Sequence, residues 1–175
     1  MEYKFKKENH DFWAERLKNN QERQVCTNDV ALDDVENNEI LKRLENKKSI
    51  LEIACGNGVL YSKITEKFNN ISYLGTDFVQ DLVNVCEKKS KSKDHKFIQQ
   101  DMTDINISSF DKKYDFIISK RAIQNVLEEK LQIQTIENLG HHLKEDGLMI
   151  LVESSANAQK RLNDLRKKYN FPEIT

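Results

Sequence analysis

Between Ser49 and Glu153 short, almost wholly apolar runs alternate with stretches whose apolar residues recur at helical spacing, and no other feature narrows the fold as much. The run Ser49–Ala54 precedes Val59–Phe68, where Val59, Leu60, Ile64 and Phe68 share one helical face. Ile71–Thr76 precedes Phe78–Lys89, where Val79, Leu82, Val83 and Cys86 do the same. Lys96–Gln100 reads as a thin third strand, Tyr114–Ser119 as a fourth and Leu148–Glu153 as a fifth. The fifth is reached through a helix from about Glu128 to Leu143 and a turn at Lys144–Gly147. A last helix is expected at about Ala156–Tyr169, and two more around His10–Asn20 and Val35–Leu44. Continuously apolar strands separated by helices pack as a parallel sheet covered on both faces. The pattern predicts an α/β three-layer sandwich whose ligand contacts lie just beyond the carboxyl ends of the strands.

With 175 residues, 38% of them hydrophobic, the chain supports one packed core, and no repeat or linker divides it. Residues 1–47 are read as a helical cap or lid and residues 48–175 as the site-bearing domain. Lys and Arg total 28 against 29 Asp and Glu, so the basic excess of a phosphate-binding surface is missing. The longest apolar runs, such as Gly147–Val152, are far shorter than the roughly 20 residues a membrane helix needs. The N-terminus is charged and lacks the apolar stretch of a secretory signal. No membrane partner and a cytoplasmic location are expected. Cys26, Cys55 and Cys86 are widely spaced, which suits neither a disulfide framework nor a zinc site, and no other metal-ligand spacing is present.

The loop after the first strand carries the chemistry. In Ile50–Leu60, Glu52 precedes Ala54, Gly56, Asn57 and Gly58, small residues that let the backbone approach a ligand at a helix start. A dinucleotide loop needs a third small residue for close helix–strand packing, but Val59 and Tyr61 stand at the two possible places. A GK[ST] phosphate loop is also missing, so the loop suits a nucleoside ligand without a pyrophosphate. Asp77 ends the second strand, where a carboxylate can accept both hydroxyl hydrogens of a ribose. By itself such an acid is more often a helix N-cap.

The motif E-x-A-x-G-N-G resembles the first motif of class I S-adenosylmethionine-dependent methyltransferases, with Ala54 where the family commonly has glycine. The likeness runs over about Glu36–Glu153: Gln99–Asp104 is similar to the family's adenine-binding element, and Tyr114–Ile123 to its fourth-strand motif. It implies S-adenosylmethionine as cofactor, S-adenosylhomocysteine as product, and methyl transfer by in-line displacement. Adenine would lie at Asp101 and Met102, with Phe78 packing on it or in the core, and ribose on Asp77. Glu52, Ala54, Gly56, Asn57, Gly58, Ser119 and Lys120 would lie by the methionine.

Strand four is followed by SKRAIQNV rather than the (D/N)PPY signature of exocyclic base methylation, and no Pro-Cys nucleophile is present. With the balanced charge, this favours a small-molecule acceptor and leaves nucleic-acid and protein acceptors open. Arg121, Asn125 and Glu153 lie where an acceptor would meet the methyl donor. Arg121 could instead pair with an acid, and Glu153 could cap the last helix. Phe12, Trp13 and Arg16 belong either to a lid or to a plain amphipathic cover. His141 and His142 are read as a solvated or helix-terminal pair. A nonenzymatic methyltransferase-like module is the competing class. The family usually adds an antiparallel strand pair after strand five, whereas only 22 residues follow Glu153 here, ending FPEIT. Five parallel strands with one open edge are therefore expected, through truncation or because a second copy covers that edge in a homodimer.

Overall fold

The computed structural model describes residues 2–46 and 48–173, so the anticipated boundary at residue 47 and the end of the FPEIT tail lie outside the described residues. Helices α1 (Glu2–Asn19) and α2 (Val30–Leu41) precede β1 (Ser49–Ile53), α3 (Val59–Lys67), β2 (Ser72–Asp77), α4 (Gln80–Lys89) and β3 (His95–Gln99). β4 (Tyr114–Lys120), α5 (Glu129–Gly140), β5 (Leu143–Val152) and α6 (Ala156–Lys168) follow. All strand pairings are parallel, in the order β3-β2-β1-β4-β5. This is the five-stranded, helix-covered sheet that the alternating pattern predicts.

Strand alternation divides the apolar residues between two cores. Ile50, Tyr73, Phe97, Phe116 and Ile118 face one side and pack with Leu60, Tyr61 and Ile64 of α3, Val83 and Cys86 of α4, and Ile40 and Leu41 of α2. Leu51, Ile53 and Ile117 face the other, under Leu139 of α5 and the Ile105–Phe110 loop. Right-handed crossovers place α3 and α4 on one face while the sheet grows from β1 to β3, and α5 on the opposite face once growth reverses to β4 and β5. Between β1 and β4 lies the switch point where such sheets open a crevice. α1 instead packs Trp13, Ala14 and Leu17 against Val25, Val79 and Leu82, beside the strand ends.

Local chemistry moved several boundaries. Asp29 accepts the Leu32 N–H at 2.9 Å and starts α2 five residues before the expected Val35. The turn predicted at Lys144–Gly147 is a bulge inside a longer β5: Tyr114 pairs with Leu143 and Phe116 with Leu148. Gly147 permits it, because a Cβ there would lie 2.8 Å from the Leu143 side chain. α5 consequently ends at Gly140, and His142 is buried rather than solvated. Its Nε2 lies 2.8 Å from the Asn106 carbonyl, and its ring stands edge-on to Phe110 at 4.8 Å.

The other margin is bare. Leu148 and Leu151 on β5 are 43% and 40% exposed, and α6 buries no residue although Leu162, Leu165 and Tyr169 recur along it. Among the described residues no helix is long and apolar enough to cross a membrane.

Candidate functional site

The β1–α3 loop is built for close approach. Gly56 and Gly58 have φ of +56° and +77°, and Ala54 holds +53° despite its Cβ. A Cβ on Gly56 would lie 2.5 Å from the Cys26 Sγ, and one on Gly58 3.0 Å from the Cys86 Sγ. The Cys86 thiol donates to the Gly56 carbonyl at 3.2 Å. The cysteines, far apart in sequence, thus converge on the loop, which spacing alone did not reveal. Burial pushes the Cys26 thiol up to about 11, so it stays protonated at neutral pH.

Asp77 accepts the Gly56 N–H at 2.9 Å through Oδ2 and the Val79 N–H at 3.0 Å through Oδ1. It is 5% exposed, and burial raises its pKa to about 6 against the pull of those backbone donors. Each oxygen keeps a lone pair, and Asp77 lines a cavity of about 370 Å³ with Glu52, Ala54, Gly56, Asn57 and Phe78. Glu52 accepts the Tyr73 hydroxyl hydrogen, and burial lifts its carboxyl to about 7. Asn57 is held by its amide donating to the Glu22 carbonyl at 2.6 Å.

A second cavity of about 250 Å³ is lined by Phe78, Asp101, Met102, Val126, Leu127 and Leu131. Ala54, Phe78, Met102 and Asn125 line both cavities, so the two form one elongated cleft. The Asp101 Oδ1 accepts both the N–H and the hydroxyl of Thr103, at 2.9 and 2.7 Å. Oδ2 pairs with the Lys6 ammonium at 2.9 Å. Burial works against the charge of Asp101, but these Thr103 and Lys6 contacts hold its pKa below the usual value.

Not every anticipated residue reaches the cleft. Ser119 is fully buried on the Ile117 face of β4, lines neither cavity, and its hydroxyl has no partner among the described residues. Alternation turns it away from the cleft, whereas Lys120, the other residue expected at this strand end, lines it. Gly58 lines neither cavity and serves as the N-cap of α3. Glu153, expected toward the acceptor, is spent on backbone: it accepts the N–H groups of Ala122, Ile123 and Gln124 at 3.1, 3.0 and 3.3 Å. The turn it caps is Ile123–Asn125, not the last helix. Arg121 lines the cleft while pairing with Asp33 at 2.6 Å and Glu36 at 3.2 Å, and Asn125 donates to its carbonyl at 3.0 Å.

Sequence reading missed the buried cluster behind this: Lys120 also pairs with Asp33, at 2.7 Å, and donates to Asn37 at 2.6 Å. The i,i+4 spacing of Asp33 and Asn37 on α2 was the available signal. Lys6 and Asn9 of α1 were missed too, and Phe12, Trp13 and Arg16 line the larger cavity. Among the described residues no group of three or more His, Cys, Asp or Glu is arranged to hold a metal.

Comparison with known proteins gives the family and the fold. A family model described as a methyltransferase domain matches residues 44–173. The malonyl-[acyl-carrier protein] O-methyltransferase of Bacillus anthracis is 29% identical over 101 residues, covering 58% of this chain and 35% of that protein. This chain therefore spans about a third of that curated relative's length. In fold it is similar to a TehB-like S-adenosylmethionine-dependent methyltransferase from Corynebacterium glutamicum, with TM-score 0.60 and 20% identity over 82% of this chain and 71% of that one. It also resembles an S-adenosylmethionine-dependent methyltransferase from Clostridium acetobutylicum, with TM-score 0.56 and 20% identity over 74% of this chain and 51% of that one.

Proposed function

The chain belongs to the methyltransferase-domain family, and on that premise we propose that it transfers the methyl group of S-adenosylmethionine to a nucleophilic atom of a small-molecule acceptor. The observation that carries this reading is Asp77, a carboxylate pinned by the Gly56 and Val79 N–H groups in the wall of the larger cavity, with a lone pair left on each oxygen. The donor set fits the cofactor. Asp77 suits two ribose hydroxyls, Asp101 and the Phe78–Met102 walls suit a flat adenine with an amino edge, and Glu52 suits a cationic amino group.

When bound, S-adenosylmethionine supplies an electrophilic methyl carbon on a sulfonium. The residues of this chain have the work of alignment. Asp77 and Asp101 fix the two ends of the nucleoside, and the Ala54–Gly58 loop approaches with backbone alone. Phe12, Trp13 and Leu82 give the larger cavity its apolar wall. Arg121 and Asn125 face the acceptor side, while Glu153 positions their turn. An acceptor that is already anionic needs no base; a protonated one needs its proton removed before or during transfer.

Small-molecule acceptors are supported by the balanced charge and by a cleft whose larger cavity is about 370 Å³. The Bacillus anthracis relative's name specifies O-methylation of a malonyl group on a carrier protein. A second copy of this chain is proposed as one occupant of the open β5 edge, and a cytoplasmic location as the setting.

Calorimetric titration with S-adenosylhomocysteine should show binding that collapses ten-fold or more in Asp77→Ala. No binding by the intact chain overturns the reading. A screen with labelled methyl donor separates the enzyme from a nonenzymatic module, which would bind and never turn over.

A further inference from the structure

Four cations line the larger cavity, and three have carboxylate partners. Arg23 pairs with Asp34, Lys120 with Asp33, and Arg121 with Asp33 and Glu36. Arg16 does not pair with any described carboxylate. Its Nε donates to the Val25 carbonyl at 2.6 Å, and its Nη2 to the Gln24 carbonyl at 2.5 Å and to Asn28 Oδ1 at 2.9 Å, with the Thr27 carbonyl at 3.5 Å. All are neutral oxygens, so the positive charge is held in place and not cancelled. The Nη1 group, with two N–H bonds, has no partner among the described residues. Phe12 and Trp13 lie together on one side of the guanidinium, with ring centroids 5.7 and 5.9 Å from its central carbon and 5.0 Å from each other.

A guanidinium immobilised by one edge, with two rings beside it, has already lost the rotamer freedom that a flexible cation would lose on binding. What it lacks is an anion. We propose that Arg16 is the carboxylate-binding residue of this cleft, with Nη1 taking a carboxylate from the methionine end of the cofactor or from an anionic acceptor. The proposal deepens the methyltransferase reading and rests on it for the identity of the ligand, not for the existence of the subsite.

The test uses Arg16→Lys and Arg16→Ala with three probes: S-adenosylhomocysteine, 5′-methylthioadenosine, which lacks the amino-acid end, and glutarate. Trp13, the chain's only tryptophan, reports on the subsite by fluorescence. If the cofactor supplies the carboxylate, Arg16→Ala weakens S-adenosylhomocysteine about ten-fold or more and 5′-methylthioadenosine less than about three-fold. If the acceptor supplies it, both nucleosides keep wild-type affinity, and a saturable response of Trp13 to glutarate is lost in both variants. Equal weakening of the two nucleosides, which would mark Arg16 as only a brace for the Gln24–Asn28 loop, overturns the proposal. So does an unchanged glutarate response with unchanged nucleoside affinity. Glutarate is titrated with and without S-adenosylhomocysteine. An intact chain that binds neither nucleoside yet loses its glutarate response in the variants removes the functional reading and leaves the subsite standing.

Discussion

A methyl group placed on Gly56 meets two obstacles: a backbone at φ +56° and the Cys26 Sγ 2.5 Å away. The first costs about 1 kcal/mol for any L side chain, and the second forces the Cys26 segment to move. Gly56→Ala is expected to lower stability by about 2 kcal/mol and to weaken S-adenosylhomocysteine binding. Adding Cys26→Ala should recover part of the stability but not the part due to φ, which thermal melts of the single and double variants will separate. Glu52 offers a pH test. Its folded-state pKa of about 7 lies above the ordinary 4.5, so the native chain binds this proton more tightly than the unfolded chain does. Stability is then lost as pH rises from about 4.5 through 7, and Asp77, raised to about 6, adds to the same trend. Glu52→Gln should stabilise the ligand-free protein at pH 8 by on the order of 1–3 kcal/mol and flatten its Tm–pH profile. A profile as steep as wild type would refute the assignment.

At the scale of elements, α1 touches the cleft through Lys6, Asn9, Phe12, Trp13 and Arg16. The Lys6 ammonium is bound to Asp101 Oδ2, the oxygen that Thr103 leaves available for an adenine amino group. Lys6→Met should therefore raise S-adenosylhomocysteine affinity a few-fold, and wild-type affinity should rise with salt as this part-exposed pair is screened. Weaker binding by Lys6→Met would show instead that Lys6 orients Asp101 for the adenine. Legibility also differs by element. β1, the glycine loop and Asp77 could be read from the chain because each is a local pattern: an apolar run, small residues, an acid at a strand end; Asp101 was named only through the family resemblance. The contacts of Lys6, the pairing of Asp33 with Lys120 and the burial of His142 could not, because the partners lie 36 to 97 positions away along the chain. Ser119 was misplaced because a one-residue choice at the end of β4 decides between the two faces of the sheet.

For the whole molecule, the bare β5 margin is the main liability. An edge strand presents unpaired N–H and C=O groups, and here exposed Leu148 and Leu151 accompany them. Leu151→Lys should reduce light scattering on heating while leaving S-adenosylhomocysteine affinity unchanged; equal scattering by both proteins would move the sticky surface to α6.

What the sequence determined by itself was the alternation of strands and helices, hence the parallel sheet, the crevice at its switch point and the residues at the strand ends. These follow from periodicity and from which residues permit positive φ, and both are local. Tertiary structure alone decided which cations are neutralised, which acids are buried enough to titrate near neutrality, and which helix lies over the cleft. Those properties depend on desolvation and on pairing between distant segments, and neither exists until the chain has closed on itself.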